Sequence, residues 1–354
     1  MKMPPAPSRS FSSDNAAGAH PAVLDALARA NVGHAMAYGA DEWTRACEAH
    51  FCELFGPQVE VFLAFGGTGA NVLALATMLG PAEAVVCSRW GHIAVDETGA
   101  PERILGAKII ELASDDAKIR PEQLDELAHL RGSEHHVQPG VLSITQSTEL
   151  GTVYTADEVG AVCERAHRDG MRVHMDGARI ANATAATGGT VEALRALTID
   201  AGVDVLTFGG TKNGLLGGDA VVYLTPECAR SARYVRKQVT QLPSKMRFVA
   251  AQFNAVLADG LWLSLAAHAN AMTERLYALT RDIPGVEHAG PPAVNSVFPR
   301  LPADAIAPLQ EWCFFWPWDP ASRQVRWMTA WDTTESDVAT FAAGVGQLLG
   351  ADSR

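Results

Sequence analysis

A chain of 354 residues, 48% hydrophobic and 19% charged, has the composition of an ordinary globular protein and length enough for two domains. Its formal net charge of -12 at pH 7 excludes an electrostatic grip on nucleic acid or an anionic membrane. Cys47, Cys52, Cys87, Cys163, Cys228 and Cys313 form no CxxC pair and no zinc spacing, which suits reduced thiols and no metal centre.

The N-terminus MKMPPAPSRSF carries charge but no apolar stretch behind it, so no signal peptide is expected. With no run of about 18 apolar residues, the expectation is a soluble, cytoplasmic protein. Residues 1–20 read as an arm, loose over its Pro- and Ser-rich first ten residues. Pro21 can start a helix over AVLDALARA, and ADEWTRACEAHFCELFG reads as a second helix stopped by Gly56. VEVFLAFGG is a strand that ends in glycines, and TGANVLALATMLG is a helix that starts at once. That strand–turn–helix is a natural phosphate cradle, since free backbone N–H groups and the helix dipole face the anion. A dinucleotide fingerprint fails at Val72, and no Walker A triplet is present.

Strands AVVCS, KIIELA, GVLSITQS, MRVHMDG and DVLTFGG then alternate with helices up to AVVYL. This is the pattern of a doubly wound, mainly parallel α/β sheet, expected over residues 21–262. From 226 onward long helical segments are expected. VNSVFPRLP, QEWCFFWPWD and QVRWMTAWDTT follow as strands, and ESDVATFAAGVGQLLG as a last helix, making a small α+β domain over 263–354. Trp316, Trp318, Trp327 and Trp331 read as core and interface of that domain.

Ligands of open α/β sheets sit at the carboxyl ends of strands. Three features fall there: the Gly67-Thr68-Gly69 turn, Asp176, and Lys212 in the glycine-rich stretch FGGTKNGLLGG. Taken locally, Lys212 equally suits a solvated turn and Asp176 a helix cap. Together they offer an anion cradle, a carboxylate and an amine, the three requirements of pyridoxal phosphate.

GTGANVLAL, HMDGARIANA and FGGTKNG, with SDNAAGAHP before them and RWMTAWDTTE after, resemble the low-specificity L-threonine aldolases, a group of fold type I pyridoxal enzymes that includes phenylserine aldolases. The resemblance runs from about Phe11 to the last helix. It implies a retro-aldol lyase that releases glycine and an aldehyde from L-β-hydroxy-α-amino acids. It implies a Schiff base on Lys212, a pyridine-nitrogen partner in Asp176, and a phosphate held by Gly67 and Thr68 with Thr211 nearby. His92 matches the histidine that stacks on the cofactor, although Arg89 and Trp90 stand where the family has small residues. Ser13, Arg179 and Arg326 match positions that bind the substrate carboxylate, with Arg179 alternatively a partner of Asp176. His136 matches a histidine near the substrate hydroxyl, with His135 adjacent. Arg247 matches an arginine that reaches the phosphate of a neighbouring subunit, so a homodimer is the expected active unit and a homotetramer the expected assembly. Other pyridoxal chemistry on this fold, or non-catalytic binding of a phosphorylated ligand, stays compatible with the residues alone.

Overall fold

Strands without a charged face need cover on both sides, and the apolar runs here condense into one buried, seven-stranded sheet. The computed structural model describes residues 3–351; Met1 and Lys2 of the expected arm, and residues 352–354, lie outside the described residues. The strands are β1 (Glu60–Ala64), β2 (Glu83–Ser88), β3 (Lys108–Leu112), β4 (Gln138–Thr145), β5 (Arg172–Gly177), β6 (Val205–Gly209) and β7 (Asp219–Tyr223). Their order across the sheet is β1-β7-β6-β5-β4-β2-β3. Only β7 runs against its neighbours. One face is sealed by side chains such as Phe51, Phe208, Phe253 and Trp262, the other by Leu73, Leu75, Val85 and Tyr223. The doubly wound, mainly parallel sheet is the one expected.

The register decides where chemistry can occur. Thr145 pairs with Asp176, and Asp176 with Thr207, so the turns after β1, β2, β4, β5 and β6 all open on one edge. The helix Gly67–Met78 starts at that edge and is buried almost all round, as an apolar helix inside a layered fold must be.

The C-terminal part departs from its sequence reading in two places. The expected long helix beyond 226 is split into Ala232–Gln238 and Arg247–Leu257, with Pro243, which has no N–H to donate, in the gap between them. Gln310 to Trp312, read as part of a strand, instead end a helix, Ala303–Trp312. The second sheet has the order β8-β10-β9, from β8 (Ser296–Val297), β9 (Trp316–Asp319) and β10 (Gln324–Met328). Phe11, Leu276, Phe315, Trp327 and Phe341 form its core.

The arm is not loose. Ser8 Oγ and backbone N–H donate to Asp337 at 2.8 and 3.1 Å, Arg9 pairs with Asp332 and Asp337, and Phe11 is fully buried. These contacts outweigh the Pro- and Ser-rich composition, and they deliver Ser13 and Asp14 to the strand edge.

Close backbone approach sets one limit on the sequence. A Cβ on Gly209 would collide with the carbonyl of Ala178, in the turn after β5. Gly209→Ala is expected to cost about 1–3 kcal/mol by overpacking, measured as a lower urea midpoint. Gly160→Ala, where a Cβ meets nothing within 4 Å in the helix Ala156–Arg168, should raise stability by about 0.5–1 kcal/mol.

Candidate active site

Lys212 is placed by a single 3-10 turn, Thr211–Asn213, directly after β6. Gly214 closes the turn at φ +92°, a conformation glycine adopts without strain. Thr211 Oγ1 donates to Asp219 Oδ2 at 3.1 Å and accepts from the Gly218 amide, while Asn213 donates to the Trp262 carbonyl. The turn is thereby fixed on both sides of the lysine. Desolvation, with the nearby Arg179 charge, lowers the Lys212 pKa below the ordinary value for lysine.

Asp176 ends β5, and both of its carboxylate oxygens are engaged. Oδ1 accepts from the Ala178 amide at 3.0 Å and Oδ2 from Asn71 Nδ2 at 2.9 Å. Burial by itself would raise its pKa, but the neighbouring His92 first, then the Ala178 hydrogen bond and Lys212, hold it below the usual carboxylate value. The network continues outward. Asn71 also donates to Glu97 Oε1 at 2.9 Å, and His92 Nδ1 lies 3.0 Å from the same oxygen. Glu97 has no side-chain exposure, and its hydrogen bond raises the His92 pKa. A second histidine, His174, fully buried, lies one pleat before Asp176 on the same face. It bridges Ser143 and Thr207, and burial pushes it down to about 4, so it stays neutral.

Two arginines face the same cavity of about 240 Å³ as Lys212. The Arg179 guanidinium is paired with both oxygens of Asp14, at 2.7 and 2.9 Å, and not with Asp176. Asn295 adds a third bond to Asp14 at 3.1 Å. Arg326 on β10 donates to the Ser12 carbonyl at 3.1 Å, and burial lowers its pKa to about 10. Its guanidinium lies 5.2 Å from the centre of the Trp318 ring. Ser13, Trp316 and Trp318 also line this cavity. Trp316 and Trp318 thus differ from Trp327, which is core as expected.

This constellation is shared with known proteins. Residues 10–303 match the family model described as Beta-eliminating lyase. A low specificity L-threonine aldolase of a Pseudomonas species is 41% identical over 347 residues, covering 97% of this chain and 99% of that protein. One from Pseudomonas aeruginosa is 40% identical over 96% and 98% of the two chains. Among solved structures, the threonine aldolase of Leishmania major superposes with a TM-score of 0.89 at 32% identity, covering 96% and 99%. The chain belongs to the Beta-eliminating lyase family. It is an enzyme, a lyase.

Not every expected site residue of this lyase meets at Lys212. His135 and His136 are exposed in the turn before β4, at the opposite end of that strand from Thr145. Eight residues of strand separate the two ends, so the chain's own fold does not bring His136 to the cavity. The position of the turn is set by Gln138, which accepts from Gly132 N–H and donates to the carbonyls of Leu130 and His136. Thr68 is exposed and Gly67 half-buried at the helix start, and Gly67 lines the cavity beside Asp176. Arg247 points to the Gly33 carbonyl at 3.3 Å, away from its own Lys212 cavity. Trp90 donates to the Ser114 carbonyl at 2.8 Å and Arg89 stacks over it, so neither alters the pocket.

Sequence reasoning missed Asp14, Asn71, Glu97 and Glu149. The quoted motifs held two signals: Asp14 follows Ser13 in SDNAAGAHP, and Asn71 is the one polar residue of VLALAT's helical run that turns inward. Asp14 carries a stability consequence. Burial alone would raise its pKa, while Arg179 and Lys212 lower it. Its contribution is therefore full above the unfolded carboxylate pKa near 4 and lost as pH falls through the lower folded value. Asp14→Ala leaves Arg179 buried without its partner. It should cost about 3 kcal/mol at pH 7, shrinking toward zero in acid, as read from urea midpoints across pH.

Proposed function

We propose that the chain is a pyridoxal-phosphate-dependent aldolase cleaving L-β-hydroxy-α-amino acids to glycine and an aldehyde, with L-threonine, L-allo-threonine and phenylserine as substrates. The observation that carries the reading is a desolvated Lys212 facing the cavity beside a buried, charged Asp176, in a chain so similar over its whole length to L-threonine aldolases.

The residues present fit the cofactor. A glycine turn opens a buried helix at the sheet edge, and Asn71 Oδ1 and Ser147 Oγ are buried at the cavity without a protein partner. Gly67, Thr68 and Thr211 would hold the phosphate, His92 would lie against the ring, and Lys212 would carry the covalent link. When bound, pyridoxal phosphate supplies an electron sink for the bond broken at the substrate's Cα. The rest falls to side chains. Asp176, fixed as a carboxylate, would keep a proton on the cofactor's ring nitrogen. Lys212, whose pKa is lowered by desolvation, would offer an amine that loses its proton more readily than an exposed lysine's. Arg326 and Arg179 bind the substrate carboxylate, the guanidinium fork matching its two oxygens. Trp316 and Trp318 bound the space left for the substrate side chain.

The active unit on this reading is a homodimer, assembled into a homotetramer. Its support is a surface where large apolar side chains are exposed around the segment 241–252. Tyr38 N–H donates to Ser244, Phe65 N–H to Gln241 and Leu216 N–H to Gln252, and Arg247 reaches Gly33. Tyr38, Phe65 and Leu216 are each more than half exposed there, with Val32 and Met36 close in sequence. Phe65 directly precedes the phosphate turn, so a second copy covering it would bring its Arg247 to that phosphate. Six free thiols, five of them buried, suit the cytoplasmic setting proposed for it.

Lys212→Ala should abolish glycine release from L-threonine and phenylserine; ammonia and a keto acid from the intact enzyme would move the assignment to β-elimination. Arg247→Ala should also be inactive alone. Co-refolding equal amounts of the two variants should recover about a quarter of wild-type activity, since half the dimers are hybrids with one complete site. No recovery would place Arg247 in its own subunit's site.

A further inference from the structure

We infer that Glu149 is the proton acceptor for the substrate's β-hydroxyl, a role resting on the aldolase reading above. Glu149 lies four residues beyond the end of β4, and its two carboxyl oxygens have different surroundings. Oε1 accepts from the His92 amide at 2.8 Å and from Thr145 Oγ1 at 2.9 Å. Oε2 is buried and has no protein partner. The residue lines both lobes of the site, the one holding Asp176 and Asn71 and the one holding Arg326, Trp316 and Trp318, and Lys212 is common to both.

The other buried carboxyls are committed elsewhere. Asp176 has donors on both oxygens, and Glu97 is paired with His92. Asp96, also at the cavity, is exposed. Glu149 therefore differs from Asp176 in carrying a buried, unpartnered oxygen, and from both Asp176 and Glu97 in lining both lobes, where those two line only one. Burial first, with the Asp176 charge, pushes it up to about 7 against the opposing hydrogen bonds of its own amide, Thr145 and His92. The charged and titratable groups facing it from packed elements are His92, Asp176 and Arg179, with Cys87 on β2 and Tyr154 beyond its own turn. A carboxyl with a pKa near the working pH can take a proton and return it.

The step balances. The β-O–H bond breaks and its proton bonds to Oε2 of Glu149. The oxygen's electron pair forms the aldehyde C=O, and the Cα–Cβ pair stays with Cα, for which pyridoxal phosphate, when bound, would supply the electron sink. Cα takes a proton from solvent and Glu149 releases to solvent the one it accepted, which gives glycine and restores the carboxylate. No oxidant or second substrate is needed.

Glu149→Gln tests this, because an amide keeps an oxygen for His92 N–H and Thr145 but cannot accept the proton. Threonine cleavage should fall by about 100-fold or more in kcat, with cofactor binding and KM little changed. Exchange of the α-proton of glycine with deuterated solvent, which involves no β-hydroxyl, should survive. Infrared titration of the cofactor-free wild type should show a neutral carboxyl band lost as pH rises through about 7, missing in Glu149→Gln. Unchanged cleavage in this variant, equal loss of cleavage and glycine exchange, or no such band would overturn the assignment. So would a pH profile whose acid limb persists in Glu149→Gln and disappears in His136→Ala. A wild type that cleaves none of the β-hydroxy amino acids would overturn the aldolase reading itself and this assignment with it.

Discussion

Burying a negative charge is costly unless donors and opposite charges surround it, and this site is organised by two such burials. Asp176 is 4% exposed and Asp14 3%. The first is held by Asn71, the Ala178 amide and the neighbouring His92, the second by Arg179 and Asn295. Each partner comes from a different part of the chain. Satisfying two carboxylates therefore locks together the phosphate-turn helix, the ends of β2 and β5, the N-terminal segment and the strand system of the C-terminal sheet.

The same arithmetic explains why the functional groups are charged as they are. Lys212 lies among Arg179, Asp14, Asp176 and Asp219. With desolvation and Arg179 dominating, its ammonium form is disfavoured, as the proposed role of an amine attacking a carbonyl carbon would require. Arg326 is lowered as well but remains a cation at neutral pH. Its stacking on Trp318 and its bond to the Ser12 carbonyl fix the fork without neutralising it. Arg179 is held as a cation too, its pKa raised by Asp14, but two of its donors are already engaged by that carboxylate. On the proposed reading the two would contribute unequally, Arg326 with a guanidinium paired to no carboxylate among the described residues and Arg179 with one balanced by Asp14.

Much of the large sheet was legible in the sequence because parallel strands buried on both faces leave an uninterrupted apolar run, and each run here ends in glycine or a polar turn. Asp176 and Lys212 were legible for the same reason: they terminate such runs. What escaped was set by long-range pairing. The Pro- and Ser-rich arm is ordered by Asp332 and Asp337, more than three hundred residues away, and no local pattern encodes that. Gln310 to Trp312 fit a strand by composition but close a helix packed against Phe341 through Trp312. His136 was misplaced by a motif match that says nothing about which end of β4 carries the residue.

Glu149 escaped for a different reason. In SITQSTELGTVY it looks like a polar turn glutamate, since its neighbours Ser147, Thr148 and Thr152 are those of a solvated loop. The loop is folded inward instead. Thr148 accepts from Thr152 N–H, Gln146 pairs twice with the Tyr154 backbone, and Tyr154 is itself buried. With Gln146, Thr148 and Thr152 satisfied within the loop, its glutamate is left facing the cavity at low dielectric. A carboxyl there must either find a cation or shift its pKa. The nearby cations are already assigned, His92 to Glu97 and Arg179 to Asp14, so the pKa shifts. Pairing of the other charges is what leaves one carboxyl in the site free to exchange a proton near neutral pH.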